Sequence, residues 1–253
     1  MRTVALKNVV LGEGATKVIV PLTGTDAGTL LRQADGLAGH SLDIVEWRVD
    51  HYEDAPDAQK VVATARTLAA RLAGRPLLVT FRTAAEGGRA AIEDGAYGDL
   101  LVAVARSGVA DAVDVELFRD EAQVRRVVEA AHEAGVRVVM SSHDFAGTPA
   151  EDEIVARLRR MQDLGADVVK LAAMPHDAGD VLTLLGATWT MHSVHADRPV
   201  ITMAMGGVGV VSRLAGEIFG SAATFGMVGE ASAPGQVDVD ALGRVLELIH
   251  RAR

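Results

Sequence analysis

Short β-branched runs alternate with amphipathic helical stretches along this chain, and that alternation limits its fold more than any other feature. Eight runs occur, at residues 17–22, 43–49, 77–82, 112–115, 136–141, 167–171, 199–203 and 222–225. Between them lie stretches such as 58–73, in which apolar residues recur with the spacing of one helix face. Strands that alternate with helices in this way predict a parallel sheet covered by helices.

The number of units and the chain length together favour a closed barrel. Eight strand–helix units in 253 residues are typical of a (β/α)8, or TIM, barrel. The rival, an open doubly wound sheet, needs a glycine-rich loop directly after its first strand, and residues 21–25 provide none. No linker or charge run divides the chain, so we expect one domain over residues 1–253. Residues 1–12 fall outside the repeat, and the pieces 3–6 and 9–11 predict a short N-terminal β-hairpin that closes one end of the barrel.

The sequence predicts where two of the helices begin and end. Thr148 is expected to be an N-cap, with Pro149 at the first helical position and Glu151 completing a capping box. Gly165 is expected to end that helix. The final helix is predicted from about residue 238 to 250.

Composition and charge exclude several classes of function. The net charge is −9, and no run of Lys or Arg exceeds two, which argues against a nucleic-acid partner. The chain has no cysteine and no apolar stretch approaching the roughly 20 residues of a membrane span. Residues 1–10 lack the apolar run of a signal peptide, so we expect none there. We therefore expect a cytoplasmic protein with a small-molecule substrate and no membrane partner.

Charged residues interrupt the second predicted strand. Glu46, Arg48 and Asp50 alternate with Val45, Trp47 and Val49, so the charged set shares one face. A closed barrel has no solvent-exposed edge strand. This face is therefore expected to point into the lumen, where each charge needs a partner. A substrate site and an internal structural ion pair are both consistent with the pattern.

Two strand ends carry residues suited to catalysis. Lys170 stands in an apolar strand, where a lysine is rarely buried unless it is paired or functional. Burial among arginines would depress the pKa of its ammonium and release the free amine that attacks ketones. The alternative is a lysine whose charged end reaches solvent. His143 follows the fifth strand and is suited to proton exchange near neutrality, although a packing role is also possible.

Other polar residues follow the third, seventh and eighth strands. Arg82 offers a planar fork of donors for a carboxylate or hydroxyl, or is simply a surface charge. Glu86 is either a loop residue or the partner of a catalytic histidine. Arg213, after a glycine-rich loop, could anchor a carboxylate, and Ser232 and Gln236 offer a hydroxyl and an amide near the barrel mouth. No metal-binding spacing is present, and the pair His192 and His195 is expected to lie on the surface.

These residues, taken together, resemble the type I 3-dehydroquinate dehydratase family. The matching segments run in family order through almost the whole chain: EWRVDHY at 46–52, TFR at 80–82, EGG at 86–88, SHDF at 142–145, Lys170, ITM at 201–203, SRLAG at 212–216, SAATFG at 221–226 and ASAPGQ at 231–236. One such segment is weak evidence, and the full set is highly specific.

The resemblance implies a mechanism and a set of roles. The family converts 3-dehydroquinate to 3-dehydroshikimate, the third step of the shikimate pathway, without metal or organic cofactor, and many members are homodimers. It implies that Lys170 forms a Schiff base with the substrate ketone, that His143 moves the protons and that Glu86 orients His143. It also implies a set of substrate-binding residues, namely Glu46, Arg48, Arg82, Met203, Arg213, Phe225, Ser232 and Gln236.

The chain departs from the family pattern at two places. Pro21 stands where the family often has serine, and residues 206–210 are rich in glycine where relatives carry Lys and Thr. Either change could alter substrate affinity. Two other functions remain possible from the sequence: a class I Schiff-base aldolase, and a barrel that binds carboxylates without catalysis.

Overall fold

The chain begins with a small antiparallel hairpin. In the computed structural model, which describes residues 2–229 and 231–252, strands β1 (Val4–Leu6) and β2 (Val9–Leu11) pair with each other. Met1, Glu230 and Arg253, which fall within the predicted domain, lie outside the described residues.

The eight predicted strands are all present and all parallel. They are β3 (Lys17–Leu22), β4 (Ile44–Arg48), β5 (Leu77–Thr80), β6 (Ala112–Glu116), β7 (Arg137–Asp144), β8 (Val168–Ala173), β9 (Val200–Ala204) and β10 (Ala223–Met227). Each strand from β3 to β8 pairs with the next along the chain, and β10 pairs with β3. A bridge between Val200 and Ser221 joins the last two strands and closes the barrel, which confirms the predicted fold. A two-residue strand, β11 (Val237–Asp238), adds to β10.

Eight helices surround this barrel in the described part of the chain. They are α1 (Ala27–Asp35), α2 (Ala58–Arg71), α3 (Asp94–Arg106), α4 (Glu121–Glu133), α5 (Glu151–Asp163), α6 (Ala178–Thr190), α7 (Val210–Ala215) and α8 (Val239–Ala252). One strand face packs against them: Val45, Trp47 and Val79 belong to the larger apolar cluster and are fully buried. The opposite face turns into the lumen. No helix among residues 2–229 and 231–252 is long and apolar enough to cross a membrane.

The hairpin closes the amino-terminal end of the barrel. The first and third residues of its two strands pack into the lumen. These are Val4, Leu6, Val9 and Leu11, which are at most 8% exposed and cluster with lumen residues such as Ile19, Ile44 and Leu78. Lys7 in the hairpin turn donates to the Arg75 carbonyl and pairs with Asp111, and both of these precede barrel strands. The predicted closing hairpin is therefore confirmed, and the opposite, carboxyl end of the barrel remains open.

The predicted start of α5 is wrong. The helix begins at Glu151 with Ala150 as its N-cap, and no side chain caps it. Thr148 Oγ1 donates instead to the Met174 carbonyl, 3.3 Å away beyond β8, so its hydroxyl is already used. Three acidic residues in the first turn stabilise the helix start through the helix dipole. The predicted end is confirmed, since Gly165 follows the helix with a left-handed φ of 91°.

Candidate active site

A cavity opens at the carboxyl end of the barrel, where sites in this fold are built. Its volume is about 610 Å³, including space open to solvent. Every residue that the sequence placed in the site lines it: Glu46, Arg48, Arg82, Glu86, His143, Lys170, Met203, Arg213, Phe225, Ser232 and Gln236. Gly87, Phe145, Ala172 and Met205 lie among the other lining residues. The structure thus brings the predicted residues together from separate strands and loops.

Lys170 lies on β8 and points into the lumen. It is 3% exposed, so its charged end does not reach solvent. Its Nζ lies 3.5 Å from Asp114 Oδ2 and 4.7 Å from the centre of the Phe225 ring. Burial lowers the pKa of this ammonium and Arg82 lowers it further, while Asp114 and Glu46 act in the opposite direction. The net fall of the Lys170 pKa favours a free amine.

His143 and Glu86 form a hydrogen-bonded pair above the lysine. His143 Nδ1 lies 2.9 Å from Glu86 Oε2, and the backbone N–H of His143 donates to the same oxygen at 3.1 Å. Burial raises the pKa of Glu86 to about 8, even though Arg82 opposes the rise, and burial also lowers the pKa of His143. Both shifts favour the uncharged forms of the two groups, and the 2.9 Å contact gives a direct path for a proton between them.

Local backbone geometry holds Glu86 in place. It ends a short 3₁₀ turn, Ala84–Glu86, and Gly87 follows with φ of 79°. A Cβ on Gly87 would lie 2.1 Å from the Phe145 ring, so only glycine lets that ring pack here. The EGG segment thus combines a carboxylate with the close packing that orients it.

Arg213 is a buried cation without a carboxylate partner among the described residues. It lies on α7, is 1% exposed, and its Nε has no hydrogen-bond partner there. Nη2 donates to the Pro234 carbonyl at 3.2 Å, and Nη1 lies 3.5 Å from Met203 Sδ. Burial lowers the pKa of this guanidinium to about 10, which still leaves it charged at neutral pH. A guanidinium with donors to spare beside a cavity is suited to an anionic ligand.

The loop at residues 231–236 closes over Arg213. Gln236 Nε2 donates to Ser232 Oγ at 3.0 Å, and the Ser232 backbone N–H donates to Gln236 Oε1 at 2.8 Å. A Cβ on Gly235 would lie 2.3 Å from the Gly206 carbonyl oxygen. The glycine-rich loop therefore lies against residues 231–236 through direct backbone contact.

The other three predicted polar residues are held by neighbouring side chains. Glu46 Oε1 accepts from Thr80, and Arg48 forms two 2.8 Å bonds with Asp50. Arg82 donates to four acceptors within the lumen: Glu86, Asp114, Glu116 and Ser141. Glu46, Arg48 and Arg82 all line the cavity, and each is already hydrogen-bonded to other side chains of the protein.

The sequence analysis missed two buried acids on β6. Asp114 and Glu116 are at most 1% exposed and contact Arg82 from the lumen side. The signal was present: residues 112–116 read AVDVE, the same alternation of apolar and charged residues that marked the second strand. The predicted strand also stopped at 115, one residue short of Glu116.

The structure also places three residues outside the cavity that the sequence singled out, namely His192, His195 and Pro21. His192 and His195 were expected on the surface. They lie in a π-helical turn directly after α6, Met191–His195, and both are half-buried, so they are at the surface without being fully exposed. A Cβ on Gly220 would lie 2.1 Å from the His192 ring, which shows how tightly that ring is packed. Pro21 lies on β3 opposite Glu46 and brings no hydroxyl to the lumen.

The fold and the site define a class: a TIM barrel whose open end holds a buried lysine, a histidine–carboxylate pair and an arginine that pairs with no carboxylate in the described part of the chain. Residues 18–253 match the family model of type I 3-dehydroquinase. The chain belongs to that family.

The chain is similar to 3-dehydroquinate dehydratases over nearly its full length. A 3-dehydroquinate dehydratase from Listeria monocytogenes is 53% identical over 99% of both chains, and one from Klebsiella pneumoniae is 50% identical over 97% of this chain and 98% of the relative. A type I 3-dehydroquinate dehydratase from Clostridium difficile, solved with covalently modified comenic acid, has a TM-score of 0.97 at 45% identity and covers 100% of this chain and 99% of that one. A 3-hexulose-6-phosphate synthase, at 18% identity and a TM-score of 0.60, shares the fold alone.

Proposed function

We propose that this protein dehydrates 3-dehydroquinate to 3-dehydroshikimate, the third step of the shikimate pathway, through an imine on Lys170. The observation that carries the proposal is a buried lysine of lowered pKa in one cavity with the His143–Glu86 pair and Arg213. Family membership and the names of relatives at 50% identity and above support the same substrate.

Lys170 provides the amine for the first step. Its neutral Nζ attacks the substrate ketone carbon to form a carbinolamine. With one proton taken up from solvent, the former ketone oxygen leaves as water and a protonated imine remains with one N–H. The positive nitrogen withdraws electrons and acidifies the neighbouring C–H. The lowered pKa of Lys170 increases the fraction of neutral amine at any given pH, and this favours the attack.

His143 carries the proton transfers that follow. It takes the proton from the acidified carbon, the electron pair forms the new carbon–carbon double bond, and the β-hydroxyl leaves as water with a proton returned by the histidine. Glu86, 2.9 Å from Nδ1, fixes the ring and shares its proton. Addition of water to the imine then releases the enone and restores the amine of Lys170.

The remaining lining residues position the substrate. Arg213 binds the substrate carboxylate, because its buried guanidinium is paired with no carboxylate among the described residues and its Nε has no hydrogen-bond partner there. Glu46, Arg48, Arg82, Ser232 and Gln236 are placed for the ring hydroxyls and the carboxylate edge, and Met203 and Phe225 provide apolar walls.

The test is optical, because dehydration creates a conjugated enone with a new ultraviolet band. Protein incubated with 3-dehydroquinate should develop that band, and extensive dialysis against a metal chelator should leave the rate unchanged. A class I aldolase would cleave the carbon skeleton and a carboxylate-binding barrel would only bind, so neither would produce the band. Absence of the band with folded protein therefore contradicts the proposal.

We also propose a single-domain, cytoplasmic protein that forms a homodimer and has no nucleic-acid partner. The absence of cysteine and the charge of −9 support the compartment and the last point. Exposed apolar side chains on α6 and the turn that follows it, Leu182, Trp189 and Val194, support self-association. Sedimentation should give twice the chain mass, and a monomer at micromolar concentration would contradict the dimer.

A further inference from the structure

Asp114 lies directly against the lysine and outside the substrate cavity. It projects from β6 with a fully buried side chain and does not line the cavity. Its Oδ2 is 3.5 Å from Lys170 Nζ. Its Oδ1 accepts from Arg82 Nη2 at 2.7 Å and from Ser141 Oγ at 2.6 Å. Two donors therefore fix one oxygen and leave the other facing the amine.

A protonated imine in this position carries a full positive charge that water does not reach. Removing a cation from water is costly unless an opposite charge lies nearby. The positive charge of Arg82 also disfavours a cation at this nitrogen, and this increases the cost. The buried site therefore needs an anion at the nitrogen to keep the imine protonated and able to withdraw electrons.

Resting on the imine mechanism proposed above, we infer that Asp114 is the counter-ion of the protonated imine on Lys170. It acts as a positioning residue through the nitrogen, and it does not contact the reacting carbons. The bonded Oδ1 sets the orientation, and Oδ2 receives the iminium N–H.

The charges around Lys170 support this assignment. Arg48 and Glu46 face it from β4, Arg82 from beyond β5, and His143 from β7. The two arginines disfavour a positive nitrogen and the two acids favour it. Asp114 stays ionised because Arg82, Lys170 and Ser141 together hold its pKa below the usual value, although burial opposes them. Glu46 is the other acid, and its Oε1 already accepts from Thr80.

Glu116 provides a matched control for a change at Asp114. It lies two residues further along β6, is equally buried, and also accepts from Arg82. Its other bonds go to the backbone and hydroxyl of Thr83, away from the lysine. Glu116→Gln thus removes the same charge from the same cluster without touching the amine.

The experiment compares the rate of borohydride trapping with 3-dehydroquinate across pH in wild type, Asp114→Asn and Glu116→Gln. Trapping needs a neutral amine to form the imine and a protonated imine to be reduced, and it does not need His143. Loss of the Asp114 charge lowers the pKa of both nitrogens, so both limbs of the profile should move to lower pH by about one unit. Turnover should fall about 100-fold, as when one preorganised electrostatic group is removed. Glu116→Gln should leave the limbs in place.

The outcomes separate this inference from the proposed function. An adduct in wild type and in Asp114→Asn, with limbs that do not move or that move equally in Glu116→Gln, would overturn the counter-ion role and leave the imine intact. No adduct in wild type would overturn the proposed function itself. Asp114→Ser removes the charge with a smaller side chain and serves if the amide variant does not fold. Asp114→Glu keeps the charge and should restore the wild-type limbs.

Discussion

At the residue scale, Arg213 combines almost complete burial with guanidinium donors that no carboxylate uses among the described residues. We expect Arg213 to form a buried ion pair with the substrate carboxylate. Truncating one partner of a buried ion pair costs about 2–5 kcal/mol, so Arg213→Ala should raise KM roughly 30-fold to several thousand-fold. Arg213→Lys should restore only part of the affinity, because an ammonium lacks the planar fork. Steady-state kinetics on 3-dehydroquinate measure both variants. A KM that does not change in the alanine variant would place the carboxylate elsewhere.

His143 gives a second prediction at this scale. His143→Ala removes the proton carrier and leaves the amine in place, so kcat should fall roughly 10²–10⁴-fold while the covalent adduct still forms. Pre-steady-state mass spectrometry would show the intact protein plus bound substrate. If the variant turns over at close to the wild-type rate, the proton transfers belong to another group.

The sequence could predict single residues where a charge stands alone in an apolar strand. Lys170 was identified in this way and His143 by its position just after a predicted strand, and both line the cavity. Asp114 carried an equal signal and was passed over. The bonds of Arg82 could not be predicted, because Asp114 and Ser141 lie 32 and 59 residues away and meet it only through the barrel register.

At the element scale, the hairpin of β1 and β2 is expected to contribute stability and not chemistry. Leu11 is 1% exposed among lumen residues, so Leu11→Ala should lower the free energy of unfolding by about 2–5 kcal/mol with kcat unchanged. Val10 alternates with it and is only half-buried, so Val10→Ala is the matched control with a much smaller loss. Urea denaturation measures both. Equal losses would mean that the hairpin does not plug the barrel.

Element boundaries show where local sequence rules stop. The left-handed Gly165 ends α5 as expected, because that conformation is a property of the residue itself. Thr148 is not the N-cap of α5, because its hydroxyl donates a hydrogen bond to the Met174 carbonyl in the next strand–helix unit. His143 was expected after its strand and lies within β7, which runs on to Asp144 beside β8.

At the scale of the whole molecule, the two ends of the barrel have separate tasks. The amino end is filled by the apolar hairpin, and the carboxyl end gathers the charged side chains around Lys170. Eight strand–helix units were enough to predict this architecture. Closure could not be predicted in detail, since β9 and β10 meet through one bridge and the Ser221 hydroxyl, which accepts from the Thr202 backbone at 3.1 Å.

The proposed mechanism depends on the imine at Lys170. Protein treated with 3-dehydroquinate and borohydride should lose activity permanently and gain the mass of the reduced adduct. Peptide mapping should place that mass on Lys170 and on none of the other lysines, Lys7, Lys17 and Lys60. Lys170→Met, similar in volume and unable to form an imine, should fold normally and show neither adduct nor activity. An adduct on another lysine, or an active Lys170→Met protein, would contradict the mechanism.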